Sequence, residues 1–411
     1  MTTWLDVPAD HPFGIDNLPY GVFSTSSDAT RRVGVRIGDV VLDAGAVAAI
    51  GRDAGRVGAG PDLATAWQAP SLNAFLALGR PAWTIARAWL TEILADDVHR
   101  SRVEPHLHRL DTVTMHLPIE VADYVDFYAS EDHASNVGKI FRPDNAALPP
   151  NWKHLPIGYH GRSGTVVVSG TDVVRPSGQR KAPSDPAPLF GPSIRLDIEA
   201  ELGYVVGGAT EVGTPVSVDE AADHLFGVVI LNDWSARDIQ AWEYVPLGPF
   251  LGKSFATSIS AWVTPLDALA QARLALPGQE EPAVLPYLEG PAFGLDIHLE
   301  VALNDTVVSR PEYAGMYWSP VQMLAHLTVN GASLRNGDLF GSGTVSGPEK
   351  GTRGSLLELT WNGTEPLTLG DGSTRGFLED GDTVTISAWA PGPDGTRMGL
   401  GEVSGTIRPS P

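Results

Sequence analysis

Glycine and proline interrupt this chain so often that long helices cannot dominate it. There are 45 glycines and 33 prolines in 411 residues, and they separate many short apolar runs. Glycine opens turn conformations and proline ends helices, so short apolar runs between them read as strands. Examples are Val33 to Leu42, Thr165 to Ser169, Val228 to Leu231, Leu356 to Trp361 and Thr383 to Ser387. Asn362-Gly363 follows the fourth run and predicts a type I′ hairpin, whose two central residues need positive φ. The expectation is a mainly β protein.

Fewer segments have helical spacing. Pro81 to Ala95 places Trp83, Ile85, Ala86, Trp89, Leu90 and Leu94 at helical intervals, with proline in the first turn. Ser217 and Glu220 form a capping-box signature for a helix to about Phe226. Ser319-Pro320 opens another, with Met323, Leu324 and Leu327 on one face. A small β segment followed by helices precedes the first cluster of chemically active residues. A boundary is expected between residues 100 and 120, giving an N-terminal β domain, 1–115, and a catalytic domain, 116–411.

The chain is 43% hydrophobic, enough for a large core. Its net charge of −21 argues against nucleic acid and anionic lipid as partners. It has no cysteine, which excludes disulfides, thiolate zinc sites, iron–sulfur clusters and cysteine nucleophiles. The start, Met-Thr-Thr-Trp-Leu-Asp, lacks a signal-peptide pattern, and no apolar run is long enough to span a membrane. A soluble cytoplasmic protein is expected.

Carboxylates recur between residues 126 and 253, with a histidine and a lysine among them. All-oxygen donors without sulfur suit a hard cation, Mg²⁺ or Ca²⁺. Glu199 and Glu201 share one face of a strand, which makes them either an acidic solvent stripe or two sides of a cation site. Asp197 is in phase with them. Asp233 ends an apolar strand, as a ligand at a sheet end or as a turn cap. Arg237, Gln240 and Tyr244 are spaced to share one helical face. His133 is a structural histidine or a general base; there is no G-x-S-x-G elbow or H-E-x-x-H motif to compete with it. Gly248 to Ser254 is one residue short of a P-loop, and Gly341 to Gly347 is not a dinucleotide fingerprint, so they read as turns presenting Lys253 and Thr344. Glu358, between leucines, is either exposed or buried with a partner.

Several long phrases together resemble the fumarylacetoacetate hydrolase family. They are Tyr128 to His133, Asn151 to Arg162, Asn232 to Gln240, Trp242 to Ser254 and Gly341 to Gly347. The resemblance is clearest from about residue 120 onward. It implies a small N-terminal SH3-like barrel followed by a C-terminal β-roll, assembled as a homodimer. It implies Asp126, Glu199, Glu201 and Asp233 as metal ligands, His133 as general base and Glu358 as its orienting partner. Arg237, Gln240 and Lys253 would stabilise negative charge. Tyr128, Arg142, Tyr159, Gln240, Tyr244 and Thr344 would hold a small diketo-acid. Lys253, through its backbone, and Thr257 would contact a second Mg²⁺. Ala256 departs from the family phrase, where glycine is usual.

The implied reaction is metal-dependent hydrolysis of a β-diketone carbon–carbon bond, the last step of tyrosine and phenylalanine catabolism. Two alternatives stand beside it. One is an acylpyruvase or oxaloacetate decarboxylase of the same superfamily, acting on smaller substrates. The other is a non-catalytic Ca²⁺-stabilised binding protein.

Overall fold

The computed structural model describes residues 2–53, 63–144, 146–279 and 281–411. An antiparallel five-stranded sheet comes first, in the order Leu107–Arg109, Val40–Asp43, Arg32–Ile37, Tyr20–Thr25, Val113–His116. The run from Val33 to Leu42 is thus two strands joined at Gly38. The helix Gly79–Ala95 packs beside this sheet and buries Trp83, Ala86, Trp89, Leu90 and Leu94, while Ile85 stays exposed.

A mixed sheet forms the centre. Its order is Gly158–His160, Tyr124–Phe127, Leu339–Gly341, Ala200–Val206, Leu225–Asp233, Thr257–Ile259, Val166–Val168, with Thr264–Pro265 pairing at one end of Leu225–Asp233. A third sheet orders Thr306–Ser309, His298–Leu303, Thr383–Pro391, Arg397–Arg408 and Val173–Val174.

The central sheet is buried on both faces. Leu202, Tyr204, Val228 and Ile230 pack into a core shared with the third sheet and the helix Pro320–Thr328. Val205, Val229 and Leu231 pack into a second core with the N-terminal sheet and the helix Gly79–Ala95. Burial on both sides explains why Val228 to Leu231 reads as an unbroken apolar run. The expected capping box is present at Ser217–Glu220, and the helix opened by Ser319-Pro320 carries a second one, Ser319–Gln322.

One predicted strand is corrected. Leu356–Leu359 is a short helix, with the Ser355 side chain as its N-cap. Asn362 and Gly363 do have positive φ, but they terminate this helical segment instead of closing a hairpin.

Candidate active site and cation cage

Asp126 lies in the strand Tyr124–Phe127, Glu199 just before Ala200–Val206, Glu201 within it, and Asp233 at the end of Leu225–Asp233. The register pairs Ala200 with Asn232, and Gly341 with both Gly203 and Asp126. All four carboxylates therefore gather at one end of the sheet. One oxygen from each lies within 4.8 Å of the others. None is more than 4% exposed, which removes the solvent-stripe reading of Glu199 and Glu201.

Basic and hydroxyl groups reach this cluster. Lys253 Nζ donates to Asp233 Oδ2 at 2.6 Å and also to Glu199 Oε2. Tyr159 OH donates to Asp233 Oδ2 at 3.0 Å, and Thr257 Oγ1 to Asp233 Oδ1 at 3.2 Å. Arg237 Nη2 donates to Glu199 Oε1 at 2.7 Å. Burial works against ionisation of Glu199, but Lys253, Arg237 and His133 outweigh it and hold its carboxyl below the usual range. Asp126 and Glu201 differ. Burial, reinforced by neighbouring carboxylates, pushes both well above that range.

These groups fit a divalent cation. Asp126 Oδ1 and Glu201 Oε1 are fully buried without a hydrogen-bond donor. Four carboxylates face one ammonium and one shared guanidinium, so negative charge is left uncompensated. A hard cation satisfies both orphan oxygens and the charge, and the donors are all oxygen. Gly341 makes room for the cage, because a Cβ there would lie 2.7 Å from Glu201 Oε2 and 2.8 Å from Asp126 Oδ1. Gly343, at φ +78, turns its N–H toward Glu201 Oε2 at 3.0 Å.

His133 sits in the first turn of the helix Glu131–Phe141, where its N–H donates to the N-cap Ser130. Its Nδ1 lies 2.7 Å from Glu358 Oε2. Glu358 is fully buried and also accepts from Asn136 at 2.9 Å, Ser355 at 2.8 Å and Ser346 at 3.0 Å. Burial opposes the charge on Glu358, but His133 and these donors hold its carboxyl below the usual range. An ionised Glu358 accepts the Nδ1 proton, leaving Nε2 with a free lone pair. That nitrogen points toward the cage, 3.8 Å from Glu199 Oε1.

A cavity of about 360 Å³ opens onto these groups. His133, Asp126, Glu199, Arg237 and Lys253 form its charged wall. Tyr128, Arg142, Tyr159, Gln240, Tyr244 and Thr344 line the remainder, with Phe141, Ile157 and Leu247 as apolar surface. The hydroxyl of Thr344 is buried and has no partner. Glu201, Asp233 and Glu358 are outside the lining but bond to Gly343, Lys253 and His133 within it, and Thr257 stands behind Asp233. Every sequence-predicted site residue is therefore in one constellation. Lys253 directs its side chain into the cage, and its backbone N–H donates to Phe250.

Comparison with known proteins gives the family. Residues 123–408 match the fumarylacetoacetate (FAA) hydrolase C-terminal family, and residues 16–118 match the fumarylacetoacetase N-terminal family. The chain belongs to the fumarylacetoacetate hydrolase family. It is 48% identical to fumarylacetoacetase of Arabidopsis thaliana, over 100% of this chain and 99% of the relative. It is 45% identical to that of Homo sapiens, over 99% of both chains. A solved fumarylacetoacetate hydrolase from Exiguobacterium antarcticum shares the fold, with a TM-score of 0.55 at 16% identity, covering 95% of this chain and 99% of that one.

Within this family frame, several contributors escaped the sequence reading. Asn136, Ser346 and Ser355 fix Glu358. Ser355 had a signal, since it stands three residues before Glu358 as an N-cap should. Gly341 and Gly343 read only as turn residues.

Proposed function

We propose that the protein hydrolyses 4-fumarylacetoacetate to fumarate and acetoacetate, the last step of tyrosine and phenylalanine catabolism. The observation that carries this is the His133–Glu358 pair, 2.7 Å apart, beside four buried carboxylates in one cavity. Full-length identity to curated fumarylacetoacetases supports the substrate and disfavours an acylpyruvase or oxaloacetate decarboxylase.

Asp126, Glu199, Glu201 and Asp233 hold Mg²⁺ or Ca²⁺, which when bound supplies a Lewis acid for the diketone oxygens. His133 Nε2 takes a proton from water, and Glu358 steadies the imidazolium that results. The hydroxide adds to the carbonyl on the fumaryl side. Arg237, Gln240 and Lys253 face the negative charge that develops on its oxygen. As that charge collapses, the carbon–carbon bond breaks and its electron pair leaves as the acetoacetate enolate. The proton on His133 returns to that carbon. Arg142 grips a terminal carboxylate with its fork, assisted by Tyr128, Tyr159 and Tyr244. Thr344 offers substrate its free hydroxyl.

The same reading gives Lys253, through its backbone, and Thr257 to a second Mg²⁺. It takes the N-terminal sheet as an SH3-like barrel, 116–411 as the β-roll, and two copies as the working assembly. Five short antiparallel strands support the first. Exposed Leu189, Phe190 and Ile194 support burial of further surface between copies. A cytoplasmic location rests on the cysteine-free composition. Among the described residues no helix is long and apolar enough to cross a membrane.

Quantifying products by NMR tests the proposal. Equimolar fumarate and acetoacetate support it, and any other product pair overturns it.

A further inference from the structure

Asp197 takes no part in the reaction as written, yet it is fully buried beside the site. It closes a two-residue strand, Leu196–Asp197, two positions before Glu199. Its carboxylate accepts four hydrogen bonds. Oδ1 accepts from the backbone N–H of Ile198 at 2.8 Å and of Leu356 at 2.7 Å. Oδ2 accepts from Leu357 N–H at 3.1 Å and from Arg237 Nε at 2.8 Å.

The donors tie together two parts of the site that are distant in sequence. Leu356 and Leu357 are the two residues immediately before Glu358, in the same short helix. Arg237 reaches the other way, to Glu199 Oε1 at 2.7 Å. Glu358 holds His133 Nδ1, while Glu199 lies across from His133 Nε2. The path from Asp197 through Glu358, His133, Glu199 and Arg237 therefore closes on itself. Asp197 is the one member that bonds to both arms and touches neither the imidazole nor the cavity.

We propose that Asp197 is the positioning residue of this site, fixing the general base's partner and the Arg237 guanidinium in one register. This rests on the hydrolase reading above. An aspartate is needed because both oxygens must accept. Asparagine would turn an N–H₂ either toward Arg237 Nε and the Leu357 N–H or toward the N–H groups of Ile198 and Leu356, opposing donor to donor. The consequence falls on the orientation of Glu358 and Arg237, while Lys253 still holds Glu199 and Asp233 and Gly343 still holds Glu201.

The experiment compares wild type with Asp197→Asn in steady-state turnover of fumarylacetoacetate, with Mn²⁺ affinity by calorimetry and with the low-field proton resonance of the His133–Glu358 hydrogen bond. Partners of this supporting kind typically change activity by 10–100-fold, so kcat should fall by about that factor. KM and Mn²⁺ affinity should stay within about threefold of wild type, and the resonance should shift or broaden away. If Asp197→Asn does not fold, Asp197→Glu, which keeps two acceptor oxygens on a longer arm, is scored the same way. A folded variant with kcat within about threefold of wild type overturns the proposal. So does a kcat deficit that saturating cation repairs, since Asp197 would then serve the cage alone. An inactive wild type would instead defeat the hydrolase reading. The His133–Glu358 resonance, which needs no substrate, would then decide the positioning role: unchanged in Asp197→Asn, it overturns it.

Discussion

His133 Nδ1 and Glu358 Oε2 lie 2.7 Å apart although 225 residues separate them in the chain. Glu358 has no surface to serve and no cation ligand to support, since it is fully buried around the imidazole. Replacing it by Gln keeps the shape but lets the ring choose the wrong tautomer. Glu358→Gln should lower kcat by about 10²–10⁴ while cation affinity by calorimetry is unchanged. His133→Ala should do the same. Normal kcat in either variant contradicts the general-base assignment.

Glu201 predicts two effects of opposite sign. Its carboxyl is pushed well above the usual range by burial, and then by Asp126, Glu199 and Asp233. Glu201→Gln removes like-charge repulsion in the metal-free protein and removes a ligand in the loaded one. Metal-free stability should rise, because an uncharged side chain there carries no such repulsion. Cation affinity should fall by more than about tenfold. A variant that loses stability without cation, or binds cation normally, does not belong to this cage.

The same shifts set the pH dependence. Asp126 and Glu201 bind protons more tightly folded than unfolded. Their contribution is complete below the ordinary carboxylate range and is lost as pH rises through their raised values. Glu199 and Glu358 are held low and act in reverse: their contribution is complete above the ordinary range and is lost as pH falls below it through their lowered values. Thermal unfolding of chelated protein should therefore show its maximum at mildly acid pH. Added Mg²⁺ should raise stability most at neutral pH, where fewer protons compete for the carboxylates than at acid pH. An equal increment at acid and neutral pH would argue against protonated cage carboxylates.

How far the sequence exposed this site depends on the distance over which each signal acts. Glu199 and Glu201 alternate along one strand and Asp233 ends an apolar run, so their elements were legible, whereas Asp126 in a strand and His133 in the helix after it carried no periodic pattern of their own. Glu358 was not placed by pattern. Leucines on both sides suggested a strand, but four residues are too few to show helical periodicity. Ser355 and Asp197 decide the matter by accepting the N–H groups of Glu358, Leu356 and Leu357. The resemblance assigned Glu358 its partner where local pattern was silent. Sharing of a core between the N-terminal sheet and the central sheet was equally hidden, because apolar residues on Leu225–Asp233 do not reveal which neighbour covers each face.

Gly341 offers a test of cage geometry that leaves every ligand in place. A methyl group there meets Glu201 Oε2 at 2.7 Å and Asp126 Oδ1 at 2.8 Å, closer than ordinary packing permits. Gly341→Ala should weaken Mg²⁺ binding by at least about tenfold in calorimetry. Wild-type affinity would show that the two carboxylates do not converge as described.

The central claim joins the carboxylate cage to carbon–carbon bond hydrolysis, and one assay addresses both. Loss of fumarylacetoacetate absorbance is followed with purified protein, after chelation, and after restoring Mg²⁺ or Ca²⁺. The account predicts turnover that chelation abolishes and cation restores in wild type, with no restoration in His133→Ala. Full turnover in thoroughly chelated protein, or none in the cation-loaded wild type, would contradict it.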